Sequence, residues 1–463
     1  MNCLVCCFLP LMLYAFYSRA FASHIPSCPA ARNFRQLAAG NIKNISTEFC
    51  HNDRHNKKET RREQNHDTKQ KLKKVPNITA NIKEEIVSSL EHLFATNRPT
   101  SNDGVYELHL LPNSSANGAV CLDGSPAGFY LRNGTSLEKS KWIIFFQGGA
   151  WCHDEDSCYQ RSYTALGSST CLRGYLRANE HGGLLSSQVK YNPEFYNWSA
   201  VFVPYCDGAS FTGYREKPLE FNHRPLYFRG RRILDALLDE LLRRGIDKAS
   251  EIILSGSSAG ALTAMVHSDY IRTRVRRASN ASVRVLADAG FFLDEPSFDG
   301  SKTMRYIFQQ TYNLHNSSAG LNHKCLHAQE RKRKYRCFFP QYSLPFVTTP
   351  VFLVNSLYDS WQIGSLSNIS CICDFDTCSS AEKSFIEKFR KKTLHALRSV
   401  FDLKEIAVFA DACLVHSQCP LNDFWTKVQV GNVTIAQAFV DWYRGQVDDR
   451  FKIDDPYPSN LTC

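Results

Sequence analysis

Beyond its first 22 residues this sequence has no apolar run long enough to cross a bilayer, no internal repeat, and no cysteine or histidine spacing that completes a zinc module. The first absence leaves no spanning helix downstream, since such a helix needs about 20 apolar residues. The second removes solenoids and propellers, which write one structural unit repeatedly. On the third, Cys371-x-Cys373 and Cys373-x4-Cys378 have neither a matching second pair nor a His-x3-His partner, so a metal site is not expected. Acid is also short, with 45 Asp and Glu against 55 Lys and Arg. Such a balance would suit an anionic polysaccharide, nucleic acid or membrane. Residues 1–75, however, hold 13 of the bases and 5 of the acids, leaving 42 against 40 in the remainder. The excess belongs to an N-terminal arm, and neither a nucleic-acid partner nor a stable membrane anchor is expected of the main domain.

What is present is a globular composition, 43% hydrophobic and 22% charged over 463 residues, long enough for a sizeable core. Residues 1–22 are an apolar run ending in Ala20-Phe21-Ala22, which reads as a signal peptide with its small-residue cleavage site. Residues 23–78 read as a basic arm or propeptide. Within it, 51–74 carry nine Lys or Arg and Leu72 as the one aliphatic residue, too little apolar surface to offset the entropy of ordering. That stretch is a linker or a polyanion contact. Residues 79–463 are expected to form a single catalytic domain, entered by an amphipathic helix through Ile82, Ile86, Leu90 and Leu93.

Removal of residues 1–22 leaves 15 of the 18 cysteines, a density that in a secreted chain argues for disulfides and, being odd, for one thiol left over. Asn-x-Ser/Thr occurs at Asn44, Asn77, Asn113, Asn133, Asn197, Asn280, Asn316, Asn368, Asn432 and Asn460, which fits passage through a secretory pathway. Secretion is the expectation.

From residue 105 onward, short β-rich runs alternate with helical patterns. The strands expected are Val105 to Leu111, Trp142 to Gln147, Ala200 to Pro204, Glu251 to Ser255, Val283 to Ala287, Val351 to Asn355 and Glu405 to Ala410. Helices are expected at Leu226 to Arg244, Ala259 to Thr273, Ala381 to Val400 and Thr434 to Arg444. Near-continuous apolar strands alternating with helices predict an α/β fold, a largely parallel sheet covered on both faces.

The strand Glu251 to Ser255 runs into Gly256-Ser257-Ser258-Ala259-Gly260 and then a helix. A Gly-x-Ser-x-Gly turn between a buried strand and a helix exposes its central serine at the positive helix end, which makes Ser258 the expected nucleophile. A serine needs a base and the base an orienting carboxylate. Asp359 falls just past the strand ending at Asn355, and His416 follows the strand ending at Ala410 between Cys413 and Cys419, which could hold its loop still. Asp288 and Asp411 compete with Asp359 for the orienting role. Gly148-Gly149-Ala150 after another strand offers converging amides, so Gly149 and Ala150, with Ala259, are the expected oxyanion donors. Trp151, Tyr205 and Asp207 follow strands near the same place and are candidate substrate contacts. For Trp151, burial in the core is an equal alternative.

Beyond these motifs, the chain from Val105 to Cys463 resembles the plant-type pectin acetylesterases, whose wider family includes the Notum carboxylesterases. The resemblance rests on 118–126 (Gly-Ala-Val-Cys-Leu-Asp-Gly-Ser-Pro), 148–152, 192–198, 205–211, 226–230, 288–292, 337–342 and 358–363. It implies a disulfide-stabilised α/β-hydrolase-like fold and hydrolysis of pectin acetyl esters by a secreted, monomeric, cofactor-free serine esterase with Ser258, Asp359 and His416 as triad. A carboxylesterase removing a fatty acyl group from a protein and a non-catalytic polysaccharide-binding relative are the alternatives. Departures from the family pattern are Ser257 in place of Cys, Gly260-Ala261 in place of two glycines, Ala150 in place of a third Gly, and Asp455 and Ser459 near the C-terminus in place of cysteines. The last of these points to Cys463 as the leftover thiol.

Overall fold

The computed structural model describes residues 104–463, except 136–137, 368, 374 and 447–448. The signal segment, the arm and the helix expected at Ile82 to Leu93 lie outside the described residues. Ten strands form one sheet: β1 (Val105–Leu110), β2 (Gly128–Arg132), β3 (Lys141–Phe146), β4 (Tyr175–Arg177), β5 (Ser199–Val203), β6 (Glu251–Ser257), β7 (Ser282–Asp288), β8 (Val351–Val354), β9 (Ile406–Ala410) and β10 (Phe451–Ile453). Their spatial order is β10-β9-β8-β7-β6-β3-β5-β2-β1-β4. The pairs from β10 to β5 are parallel, and β2, β1 and β4 continue antiparallel.

Around the sheet stand helices α1 (Glu155–Arg161), α2 (Gly230–Arg243), α3 (Ala259–Arg276), α4 (Thr303–His315), α5 (Ser360–Ser367), α6 (Ser380–Arg398) and α7 (Ile435–Tyr443). Because successive strand residues face opposite ways, the apolar runs divide between two cores. Ile144, Phe146, Ile252 and Leu254 pack with Leu234, Leu237 and Leu241 of α2 and Leu262 and Met265 of α3. Their neighbours Ile143, Phe145 and Ile253 pack with Phe439 of α7 and Trp425. Each such buried side chain contributes about 1.5–3 kcal/mol, and the division explains why these strands are apolar throughout and do not alternate. This is an α/β-hydrolase-like fold.

All seven expected strands and four expected helices are present, with shifted ends. The helix expected from Leu226 starts at Gly230 because Arg224–Leu226 instead pairs with Leu219–Phe221 as a small ribbon. Three strands went unread: β4 and β10 are three residues long and carry no period, and β2, five residues, pairs antiparallel with both neighbours.

Disulfides join Cys121–Cys206, Cys152–Cys158, Cys325–Cys337, Cys371–Cys378 and Cys413–Cys463, and Cys171 is disulfide-bonded as well. One expectation is corrected here. Cys463 is not the leftover thiol, since it closes the loop that starts at Cys413; among the described residues the free, buried thiol is Cys419. Cys152, Cys158 and His315 lie within 4.8 Å of one another, but a disulfide offers a metal no thiolate. Among the described residues no helix is long and apolar enough to cross a membrane.

Candidate active site

The parallel strands end on one edge, and the backbone is strained there. Of the non-glycine residues with positive φ, Ala150 follows β3, Ser210 and Phe211 follow β5, Ser258 follows β6, Ala289 follows β7 and Ser417 follows β9. Such conformations cost about 1–3 kcal/mol each and gather where function fixes the backbone.

Ser258 sits at φ 57° and ψ −125° at the turn from β6 into α3. Its amide donates to the backbone carbonyl of Asp288 at 2.8 Å. The glycines on either side are sterically required. A Cβ on Gly256 would lie 2.4 Å from the Gly260 carbonyl carbon, and one on Gly260 would lie 2.0 Å from the Phe146 oxygen of β3. The turn is thus pressed between β3 and its own helix, and the hydroxyl is held at the helix start. Among the described residues the Ser258 hydroxyl makes no hydrogen bond to His416.

His416 and Asp359 meet. The imidazole Nδ1 lies 3.0 Å and 2.9 Å from the two Asp359 oxygens. Asp359, fully buried, also accepts from the Gln362 amide at 2.9 Å at the start of α5. Burial would lower the His416 pKa, but the Asp359 charge and hydrogen bond, with the Asp288 charge, outweigh it and raise the pKa above its ordinary value. The two loops are knitted together by the Leu357 amide to the Asp411 carbonyl at 2.8 Å and by the Ser356 hydroxyl to the Cys413 carbonyl.

The competing carboxylates find other work. Asp288, fully buried, accepts from the Ser257 hydroxyl at 2.7 Å, from the Gln418 amide at 3.0 Å to each oxygen, and from the Cys419 amide at 3.2 Å. One carboxylate therefore ties the Ser258 turn to the His416 loop, and Ser257 is its anchor. Asp411 accepts from the Cys413 amide at 3.0 Å and the Gln418 side chain at 2.7 Å. Burial pushes both carboxyls up to about 6 against these hydrogen bonds.

On the other side of Ser258, the Gly148-Gly149-Ala150 loop crosses the Ser257-Ser258 turn so closely that a Cβ on Gly148 would lie 2.5 Å from the Ser257 oxygen. Among the described residues the amides of Gly149, Ala150 and Ala259 donate to no protein acceptor. Arg161 Nη1 donates to the Gly149 carbonyl at 2.8 Å. That carbonyl shares a planar trans peptide with the Ala150 N–H, so fixing the one aims the other.

Tyr205 and Asp207 are fully buried and serve the scaffold, not a substrate-facing surface. Tyr205 donates to the Ala150 carbonyl at 2.9 Å and carries the Arg161 guanidinium over its ring at 4.8 Å. Asp207 accepts from the Ala209 and Phe211 amides at 3.1 and 3.0 Å. Burial pushes its carboxyl up to about 7. Trp151 is 7% exposed and donates to the Ser210 hydroxyl at 2.8 Å, which donates in turn to the Ala259 carbonyl at 2.9 Å. Its ring packs edge to face on Phe292, Phe308 and Trp361, at 4.8 to 6.2 Å between centroids, and Trp361 lies 5.7 Å from the His416 ring. Sequence reading named Trp151 but missed Arg161 and the rings of Phe292, Phe308 and Trp361 packed on it.

With this geometry in view, the comparisons with known proteins are decisive. The pectinacetylesterase family model matches residues 100–463. The chain belongs to the pectinacetylesterase family. It is 35% identical to pectin acetylesterase 5 of Arabidopsis thaliana over 78% of this chain and 86% of that protein, and 35% identical to pectin acetylesterase 7 over 78% and 93%. It is 28% identical to the human palmitoleoyl-protein carboxylesterase NOTUM over 79% of this chain and 71% of that one. Both branches are esterases, and this family member is a carboxylic ester hydrolase. Two of its departures now have physical readings. Ser257 supplies a hydroxyl to Asp288, and Ala150 holds a φ of 53° that glycine adopts without the cost of about 1–2 kcal/mol that a Cβ brings.

Proposed function

We propose that the protein is a secreted serine esterase that removes acetyl groups from acidic, pectin-type polysaccharide, with Ser258 as nucleophile, His416 as base and Asp359 as orienting carboxylate. The carrying observation is the two-oxygen contact of Asp359 with His416 Nδ1 one loop away from a strained serine at a helix start. With Nδ1–H held by Asp359, Nε2 is the free base. It takes the Ser258 proton as Oγ attacks the acetyl carbonyl, and the oxygen gains negative charge beside the amides of Ala259, Gly149 and Ala150. The protonated imidazole then gives its proton to the departing sugar oxygen. Water, deprotonated by the same nitrogen, cleaves the acetyl-enzyme, and acetate leaves.

A short acyl group is favoured by the ring wall of Trp151, Phe292, Phe308 and Trp361, whose edge-to-face packing fills the ground beside His416. The cavity of about 300 Å³ lined by Phe352, Val408, Trp442 and Arg450 contains none of the site residues. Secretion is supported by the disulfides and by the exposure of Asn113, Asn133, Asn280, Asn316 and Asn432, where glycans could attach. Ser258→Ala should abolish both acetate release from acetylated pectin and labelling by a fluorophosphonate probe; labelling that survives the change would end the assignment. In an aryl ester series, turnover should be greatest for acetate. An optimum at about eight carbons or more, where each buried CH2 adds about 0.8 kcal/mol, would place the enzyme with the long-chain esterases.

A further inference from the structure

The near neutrality of the main domain conceals one concentrated patch. The segment Asn322–Cys337 holds six Lys and Arg and one Glu, while the rest of residues 104–463 holds 34 against 35. The Cys325–Cys337 disulfide closes this segment into a loop, joining the short helix His323–Ala328 to the turn Arg331–Phe338. Both cysteines are fully buried, and Leu326, Tyr335, Phe338 and Phe339 root the loop in the main core. Lys324, Arg331, Lys332 and Arg333 stand exposed above that root.

Elsewhere on the surface several arginines are matched with acids, Arg231 with Asp235 at 3.2 Å and Arg243 and Arg244 with Glu240 at 2.6 and 2.7 Å, while among the described residues the exposed Arg177, Arg276 and Arg277 have no such partner. In the loop, Arg333 reaches Glu330 at 3.5 Å and Arg336 reaches Asp294 at 3.8 Å. Among the described residues, Lys324, Arg331, Lys332 and Lys334 have no carboxylate partner. Like charges packed within a Debye length repel one another, and a covalent staple holds these together on a rigid base. The base also touches the site. Phe338 and Phe339 pack on Phe308 at 5.2 and 4.6 Å, and Phe308 packs on Trp151, the residue after the oxyanion loop, at 4.8 Å.

We infer that the stapled loop Asn322–Cys337 is a binding surface for an acidic polysaccharide, engaging the free carboxylates of a uronic-acid chain while an ester of the same chain occupies the site. The choice of polysaccharide rests on the reading of the site as a pectin-type deacetylase. A chain of uronic acids offers one carboxylate per ring when unesterified, a row of point charges suited to flexible lysines and arginines. The surface lies outside the acyl site, so its contribution is to hold the polymer and not to turn over the ester.

The test is the full-length quadruple variant Lys324→Gln, Arg331→Gln, Lys332→Gln, Lys334→Gln. Its turnover of a neutral aryl acetate should equal the unmodified enzyme's, which also shows that it folds. Binding of unesterified polygalacturonate fragments, measured by calorimetry at low salt, should weaken about tenfold, and the difference should vanish in concentrated NaCl. The KM for acetylated polygalacturonate should rise by a similar factor with kcat unchanged. Unaltered affinity of the variant would overturn the proposal, and so would tighter binding of the unmodified enzyme to duplex DNA of matched charge. If the unmodified enzyme binds polygalacturonate through the loop yet releases no acetate from its acetylated form, the surface stands and the substrate reading falls.

Discussion

The Ser258 turn and the Gly148-Gly149-Ala150 loop are fixed by steric closeness of backbone, whereas the His416–Asp359 pair beside them is fixed by buried charge. On the first side, Gly148, Gly256 and Gly260 each approach another backbone segment to within 2.0 to 2.5 Å of where a Cβ would stand, leaving the turns one way to pack. On the second, Asp359, Asp288 and Asp411, all fully buried, hold loops together by accepting hydrogen bonds from amides, a hydroxyl and an imidazole. In the proposed mechanism, rigid backbone serves the groups that would present fixed dipoles to a developing oxyanion without rearranging. Charge serves the group that would gain and lose a proton, because nearby carboxylates set its affinity for that proton. The two sides meet at Asp288, whose backbone carbonyl receives the Ser258 amide while its side chain holds the Ser257 hydroxyl and the Gln418 and Cys419 amides.

The hardest blow to the charge-held side is Asp359→Asn. An amide in place of the carboxylate can offer its N–H to Nδ1 and favour the wrong tautomer, and comparable losses run to about 10⁴-fold in kcat. Stopped-flow acylation with an aryl acetate should fall by about 10³ to 10⁴, while thermal unfolding stays near that of the unmodified enzyme. A loss below tenfold would hand the orienting role to Asp288. The backbone-held side is best probed at Arg161, which touches no substrate in this reading but fixes the Gly149 carbonyl and so the aim of the Ala150 N–H. Arg161→Gln should lower kcat about 10²-fold, the cost typical of one mispositioned oxyanion donor, with KM moving less than about threefold. A KM effect with kcat intact would make Arg161 a binding group instead.

Much of this arrangement was legible in the residues and some of it was not. Gly256-Ser257-Ser258-Ala259-Gly260 announced the sharp strand-to-helix turn at Ser258 because only glycines fit where two backbones nearly touch, and the strand ends at Asn355 and Ala410 placed Asp359 and His416 on one edge. Sequence reading put Asp359 in the orienting role with Asp288 and Asp411 as competitors, since all three lie at strand ends; in the structure Asp359 contacts Nδ1, while Asp288 and Asp411 bond to amides and side chains of the His416 loop. Tyr205 and Asp207 misled for a related reason: both follow β5 near the site, but the loop turns inward and they are spent on scaffold hydrogen bonds. Arg161 was invisible because its contact is with a carbonyl 12 residues away and depends on where α1 packs. Cys463 was read from a family pattern that this chain has altered, and it pairs with Cys413 across 50 residues.

The subtlest separation of the two modes comes from Asp288→Asn, because this residue belongs to both sides. The substitution is isosteric; the amide oxygen can still receive the Gln418 or Cys419 N–H, and the Ser257 hydroxyl can turn to accept from the new NH2. What is lost is charge. The Asp288 carboxylate helps raise the His416 pKa, and the working form of His416 is the neutral imidazole, so activity rises with pH as that group loses its proton. Removing the charge lowers the His416 pKa, and the acid limb of kcat/KM should therefore move to lower pH, with the high-pH plateau falling less than about tenfold. A pH series with aryl acetate reads both quantities at once. If the limb stays in place while the plateau collapses by about 10²-fold, Asp288 acts through position alone, and the histidine loop would then be held by geometry in the same way as the oxyanion side.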